Sequence, residues 1–312
     1  MTGILRWGNH QGAVLDSAKG FDVIECQACG FRHIVPIPTP EELERVYREE
    51  YYALEKPLYL ERHREDLDWW NLVYGERYDT FERHLSADRR RILDVGSGPG
   101  FFLLHGKLRG WQTLGMEPSR QAAAHARGLG VEIVEDFLTP ENAGRLGRFD
   151  AVHMSEVLEH IPDPRKLLET VAGLLAPGGL VCVVVPNDYN PFQQVLRTAC
   201  GYRPWWVAPP HHVNYFDFES AGRLLEACGF RVLLREATFP IDIFLLMGDN
   251  YVGNDALGRQ CHGKRKALEE NLAKAGQTGV KRSLYQALAR SGLGREAVLF
   301  AVHPGNGDGK AE

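Results

Sequence analysis

Four groups of residues in this chain have the types and spacing that chemistry can use. Gly96-Ser97-Gly98-Pro99-Gly100 follows the apolar run Ile92-Leu93-Asp94-Val95. Glycines there let the main chain approach a ligand that any Cβ would push away. A helix opened at Phe101 would aim its unbonded N–H groups at the same place. Such a turn cradles a nucleotide, and its G-x-G-x-G spacing differs from the G-x-G-x-x-G of dinucleotide sites. Glu117 stands 21 residues after Gly96, at the end of Thr113-Leu114-Gly115-Met116. An acid at the end of a second strand can hold ribose hydroxyls. Further on, Asp136-Phe137 pairs an acid suited to an adenine amine with a ring suited to its face.

Two histidine-bearing stretches come later. Glu156, Glu159 and His160 lie in Ser155-Glu156-Val157-Leu158-Glu159-His160. The spacing of four predicts that Glu156 and His160 share one helix face. His211 and His212 follow Pro209-Pro210 and precede Val213-Asn214-Tyr215-Phe216. Histidine titrates near neutral pH, so it is the natural base for a hydroxyl, although a structural histidine bonded to a main-chain carbonyl is the other use. Tyr189, Trp205, Trp206 and Tyr215 would suit stacking on a sugar or an aromatic acceptor, with core packing as the alternative. Packing is the expected use of Phe216. Near the start, Cys26-Gln27-Ala28-Cys29-Gly30 is half of a zinc ribbon. No second C-x-x-C exists, and His10 and His33 are the nearby candidates to complete it.

These side chains need a frame, and the texture of the chain supplies one. Between about 86 and 237, short runs such as RILDV, FDAVHM and LVCVVVP alternate with helical stretches such as PRKLLETVAGLLAPGG. Alternation of this kind predicts an α/β fold with a parallel sheet and right-handed crossovers. The helices close on glycine. Thr39-Pro40-Glu41-Glu42 reads as a helix start, with a capping hydroxyl, proline in the first turn and two acids facing the dipole. A last apolar run, Glu296–His303, reads as a returning strand, which makes 238–294 an insertion. The expected division is a knuckle-like segment and helical arm at 1–85, a main domain at 86–303, and a disordered tail at 304–312.

Composition narrows the function classes. Hydrophobic residues are 44% and charged residues 25%, which is ordinary for a chain that buries a core. A net charge of -5 argues against a nucleic-acid partner, because phosphate binding shows as a basic balance. No apolar run approaches the ~20 residues of a membrane span, and the start lacks the pattern of a signal peptide. Six cysteines, most of them single, do not suggest a disulfide framework. A cytoplasmic location is expected.

From Ile92 to about residue 235 the whole set, in order, resembles the class I S-adenosylmethionine-dependent methyltransferases. The resemblance implies a Rossmann-like, seven-stranded methyltransferase sheet and S-adenosyl-L-methionine as cofactor. It places Asp94, Gly96, Gly98 and Gly100 around the methionine part and Glu117, with Pro118 beside it, at the ribose. Asp136 and Phe137 would hold the adenine, with Met154 and Ser155 on the floor. The E-x-x-E-H stretch is similar to that of the O-methyltransferases of ubiquinone biosynthesis, where it ligates a divalent metal. Magnesium at Glu156, Glu159 and His160 is what that likeness implies, although many relatives keep the stretch without metal.

The first 85 residues look like the arm of bacterial sugar methyltransferases from polysaccharide and antibiotic clusters, in which an earlier C-x-x-C precedes this one. Here Trp7-Gly8-Asn9-His10 replaces that pair, so zinc would rest on His10, Cys26, Cys29 and His33. The aromatic arm Tyr47–Trp70 would lid the site or form a homodimer face. The expected activity is O-methylation of a small-molecule or glycan acceptor, with a histidine base. Competing readings are metal-assisted O-methylation of a phenol or quinone precursor, and a cofactor-binding scaffold without catalysis.

Overall fold

The computed structural model describes residues 4–45 and 58–304. Tyr47, Tyr51 and Tyr52 of the arm, and the expected disordered tail beyond Pro304, lie outside the described residues. The chain opens with four antiparallel strands, β1 (Ile4–Trp7), β2 (His10–Ala18), β3 (Phe21–Cys26) and β4 (Arg32–Val35). Helix α1 (Pro40–Arg45) follows a reciprocal cap, in which Thr39 N donates to Glu42 Oε2 and Glu42 N donates to Thr39 Oγ1. Helices α2 (Tyr59–Glu65) and α3 (Leu67–His84) then lead into the main sheet.

That sheet alternates strand and helix as the sequence predicts. Its first part runs β5 (Arg91–Val95), α4 (Phe101–Leu108), β6 (Gln112–Met116), α5 (Arg120–Gly128), β7 (Glu132–Val134), α6 (Pro140–Ala143) and β8 (Phe149–Ser155). Its second part runs α7 (Pro164–Leu174), β9 (Leu175–Pro186) and α8 (Pro191–Thr198). A short strand β10 (Asn214–Tyr215) and helix α9 (Phe218–Ala227) precede β11 (Arg231–Ala237). Helices α10 (Asp242–Leu246), α11 (Asp255–Lys274) and α12 (Thr278–Arg290) occupy the insertion, and β12 (Glu296–Val302) closes the sheet. The seven strands lie in the order β11-β12-β9-β8-β5-β6-β7, with β12 antiparallel to both of its neighbours. This is an α/β Rossmann-like architecture, as expected.

Burial explains the strand sequences. Leu93 and Val95 face one core with Leu168, Val171 and Leu224, while Ile92 faces the other with Tyr78, Phe81 and Phe102. A strand covered on both faces must be apolar throughout, and Leu180–Val185 is buried at every position. Helix starts carry their own caps: Asp163 accepts from Lys166 N, Asn190 from Gln193 N and Asp217 from Ser220 N.

Three local expectations change. The amino-terminal segment is a sheet and not an isolated knuckle, because β10 adds to β4 with Asn214 opposite His33 and Tyr215 opposite Arg32. The histidine-rich loop is thereby pinned to the first 35 residues. Next, Glu156 and His160 do not share a helix face. Glu156 is left-handed (φ 54°), and only Leu158–His160 forms a single 3-10 turn, so the helical spacing never develops. Lastly, Trp69 lies beneath the insertion at 1% exposure and donates to Glu269 of α11, which removes it from any dimer face.

Candidate active site

At the carboxyl edge of the parallel strands lies a cavity of about 380 Å³. Open α/β sheets bind ligands at this edge, where strand ends and helix starts converge. The loop Gly96–Phe101 forms one wall, and Glu117, Pro118, Asp136, Phe137, Ser155, Glu156 and His160 continue it. His63, Trp70, Tyr74 and Arg77 from α2 and α3 close the other side, with Glu296 at the start of β12.

The glycines in the loop are required by geometry. Gly96, Gly98 and Gly100 have φ of 70°, 53° and 85°, a region that side-chain-bearing residues avoid. A Cβ at Gly100 would meet the Ala126 Cβ at 2.6 Å, and one at Gly96 would meet Val157 at 2.7 Å. Glu117 ties the loop to the next helix, since Oε2 accepts from Gly98 N at 2.7 Å and Oε1 from Ser119 N at 2.8 Å. Burial pushes its carboxyl up to about 7, against the two N–H groups that favour the charged form. A bare cradle, a buried carboxylate and the Asp136-Phe137 pair fit a nucleoside cofactor carrying a polar tail.

Beneath the loop, Asp94 is bonded to a partner that sequence reasoning missed. His153 Nδ1 lies 2.7 Å from Asp94 Oδ1, and Arg77 Nη1 lies 3.0 Å from His153 Nε2. All three side chains are buried, and the Phe102 ring stacks on His153 at 3.9 Å. A histidine inside the apolar strand FDAVHM was the available signal; Arg77, in a polar-looking helix, gave none. His63 belongs to the aromatic arm expected to lid the site or form a dimer face, and it lines the cavity. It is stacked between Trp70 and Phe101 (ring centroids at 4.9 and 4.4 Å), and burial holds its pKa down at about 4.

The two histidine clusters meet. His160 Nδ1 donates to the His211 carbonyl oxygen at 2.7 Å, and the His212 ring stands edge-on to His160 at 5.0 Å. Among the described residues, His160 lines the cavity while His211 and His212 do not. Other expected residues fall elsewhere. Met154 is fully buried in the sheet core. Tyr189, Trp206 and Tyr215 pack together against Val23 and Ile34, with Trp205 at their margin. There the Tyr189 hydroxyl donates to Asp16, and the Tyr215 hydroxyl accepts from Ala208 N. Pairing of β10 with β4 draws these rings toward the first sheet and off the cavity wall, so they hold the loop instead of offering faces to an acceptor.

Away from the cavity, the ligand atoms of His10, Cys26, Cys29 and His33 all lie within 4.8 Å of one another. His10 Nδ1 is 3.3 Å from Cys29 Sγ and 3.7 Å from Cys26 Sγ. His33 Nδ1 donates to the Ile34 carbonyl, and among the described residues its buried Nε2 has no hydrogen-bond partner. Two thiols and two imidazoles, one of them with an orphaned ring nitrogen, are the donor set that tetrahedral zinc takes.

A family model described as a methyltransferase domain matches residues 63–234, more than half of the chain. The ubiquinone biosynthesis O-methyltransferase of Chromobacterium violaceum is 36% identical over 111 residues, which is 34% of this chain and 48% of that protein. The C-methyltransferase NovU of Streptomyces niveus is 26% identical over 282 residues, 88% of this chain and 60% of that protein. The chain spans about half to three-fifths of the length of these curated relatives. A solved structure of a SAM-dependent methyltransferase from Archaeoglobus fulgidus covers 74% of this chain and 93% of its own, at 19% identity and a TM-score of 0.48. The family match falls on the segment that builds the glycine loop, Glu117 and the Asp136-Phe137 pair, and the chain belongs to the methyltransferase-domain family, whose cofactor is S-adenosylmethionine.

Proposed function

We propose that this chain moves a methyl group from S-adenosylmethionine to a hydroxyl of a small polar acceptor, with His160 as the base. In this reading the acceptor oxygen attacks the sulfonium methyl in line, the C–S bond breaks, and S-adenosylhomocysteine leaves. The hydroxyl proton passes to His160 Nε2. One observation carries the assignment: His160 shares the cavity with the glycine loop, and its Nδ1–H bond to the His211 carbonyl leaves Nε2 as the basic nitrogen. His211 would serve through its main chain and His212 through its ring edge. Gly96, Gly98, Gly100, Glu117, Asp136 and Phe137 would hold the cofactor, which supplies an activated methyl group when bound. A cytoplasmic location accords with this chemistry, and no helix among the described residues is long and apolar enough to cross a membrane.

A sugar or glycan precursor is the proposed acceptor, on the likeness of the first 85 residues to the arm of sugar methyltransferases. His10, Cys26, Cys29 and His33 would hold a structural zinc ion that fixes β1–β4 and, through β10, the histidine loop. The relative from ubiquinone biosynthesis supports a phenol acceptor as the second reading, with or without magnesium at Glu156 and Glu159. Labelled-methyl transfer to a panel of nucleotide sugars, lipid-linked glycans and catechols separates the two. Transfer to catechol alone, lost in EDTA and restored by magnesium, would overturn both the sugar acceptor and the metal-free base. Cofactor binding without turnover on any acceptor would favour a scaffold.

A further inference from the structure

The Arg77–His153–Asp94 chain determines its own proton positions. An arginine guanidinium donates and never accepts, so His153 Nε2, at 3.0 Å from Arg77 Nη1, must carry a lone pair. The proton of the neutral ring then sits on Nδ1 and is donated to Asp94 Oδ1 at 2.7 Å. A second ring proton would face the guanidinium inside a closed site where His153 is 1% exposed. Phe102, stacked at 3.9 Å, prevents the ring from turning. The three residues come from α3, β8 and β5, with His153 registered directly opposite Asp94 on the paired strands. All three also line the cavity beside the glycine loop.

We propose that His153 is a positioning residue that links Arg77 to Asp94 and holds the Asp94 carboxylate fixed in direction for the ammonium group of the cofactor's methionine part. The inference rests on the cofactor reading of this cavity. Its physical basis is that a carboxylate with one oxygen committed to a charge-polarised N–H is oriented before the ligand arrives. Without His153, Arg77 and Asp94 would face each other across a gap, each buried and short of a hydrogen bond.

Binding of S-adenosylhomocysteine to the full chain, measured by calorimetry, tests this with His153→Ala and His153→Gln. A glutamine amide can accept from Arg77 and donate to Asp94, whereas alanine can do neither. The expected result is a loss of about tenfold to a hundredfold in affinity for His153→Ala and recovery to within about threefold of wild type for His153→Gln. On wild-type protein with 15N-labelled histidine, the His153 signal should report the neutral Nδ1–H tautomer, which mere packing would not require. Undiminished binding by His153→Ala, equal losses in both variants, or an Nε2–H tautomer each overturns the proposal. A wild-type chain that binds neither S-adenosylmethionine nor S-adenosylhomocysteine overturns the cofactor reading instead, and the tautomer measurement still decides whether the chain of bonds exists.

Discussion

His160 and His211, 51 positions apart, are joined by one short hydrogen bond from the His160 ring to the His211 main-chain carbonyl, at 2.7 Å. Next to it, Val213 N donates to the Glu159 carbonyl at 2.7 Å, and the Asn214 amide donates to the carbonyls of Leu158 and Ile161. The loop between α8 and β10 is thus fastened to the turn after β8, and one histidine is oriented by the backbone of another.

That relationship separates the two histidines. If His160 is the base, His160→Ala should lower kcat by about 10² to 10⁴-fold and leave S-adenosylhomocysteine affinity near wild type. His211→Ala keeps the carbonyl that orients His160 and should cost far less. Steady-state kinetics on a confirmed acceptor make the comparison, and a larger loss at His211 than at His160 would reverse the assignment.

Glu117 sets a pH dependence. Burial raises its carboxyl to about 7, so in the free protein it takes up a proton as pH falls through that value. Ribose hydroxyls donate best to the ionised form, and cofactor affinity should therefore rise with pH through about 7. Stability moves the opposite way. A carboxyl raised above its ordinary 4.5 makes the native state bind more protons than the unfolded one, so this contribution is lost between about 4.5 and 7 as pH rises. Titration calorimetry across that window should give the slope in wild type and a flat profile in Glu117→Gln.

The histidine–cysteine quartet predicts one zinc ion per chain. Elemental analysis of protein purified without chelator measures it directly. His33→Ala should reduce the content severalfold, since His33 Nε2 is the orphaned nitrogen aimed into the cluster. Full occupancy in that variant would rule out the quartet as the ligand set.

Glu269 predicts how firmly the insertion holds α3. It accepts from Trp69 Nε1 at 2.8 Å and from the Tyr285 hydroxyl at 2.7 Å, and it faces the buried Lys281 ammonium at 3.8 Å. Removing Glu269 leaves the Trp69 and Tyr285 donors without their acceptor, at a cost of about 1 to 3 kcal/mol each, while Lys281 keeps Glu76 at 2.6 Å. Chemical denaturation of Glu269→Ala should show a loss of that size, and a loss below ~1 kcal/mol would mean that the cluster relaxes or hydrates.

Gly100 tests the loop itself. Alanine there must adopt a left-handed backbone and push against the Ala126 Cβ, so Gly100→Ala should destabilise by about 1 to 3 kcal/mol. A thermal melt beside Gly110→Ala, where φ is 87° but no atom of the described residues lies within 4 Å of the added Cβ, isolates the steric part.

Much of the fold was legible in the order of residues because its signals are local. Continuous apolar runs marked the buried strands, glycines closed the helices, and the glycine loop, Glu117 and Asp136-Phe137 follow strands that the sequence itself punctuates. The lid-like reading of Trp69 and the ring-stacking roles of Tyr189, Trp206 and Tyr215 did not follow in the same way. An aromatic side chain looks alike in sequence whether its face meets a ligand or a neighbouring ring, and here β10 and α11 bury them.

The glycine loop shows where that boundary runs. By itself the sequence determined that the loop could take positive φ at three alternate positions, since glycine adopts it at no steric cost, and the loop together with Glu117 and Asp136-Phe137 pointed to the methyl-donor family. Only the tertiary structure decided which polar groups stand around the loop. Arg77, His153 and Asp94 are brought together by strand register and by the packing of α3, and His160 meets His211 through a pairing between the first and last thirds of the chain. Contacts between residues so far apart leave no periodic trace in the sequence, because each partner's local environment is satisfied by other neighbours until the chain has folded.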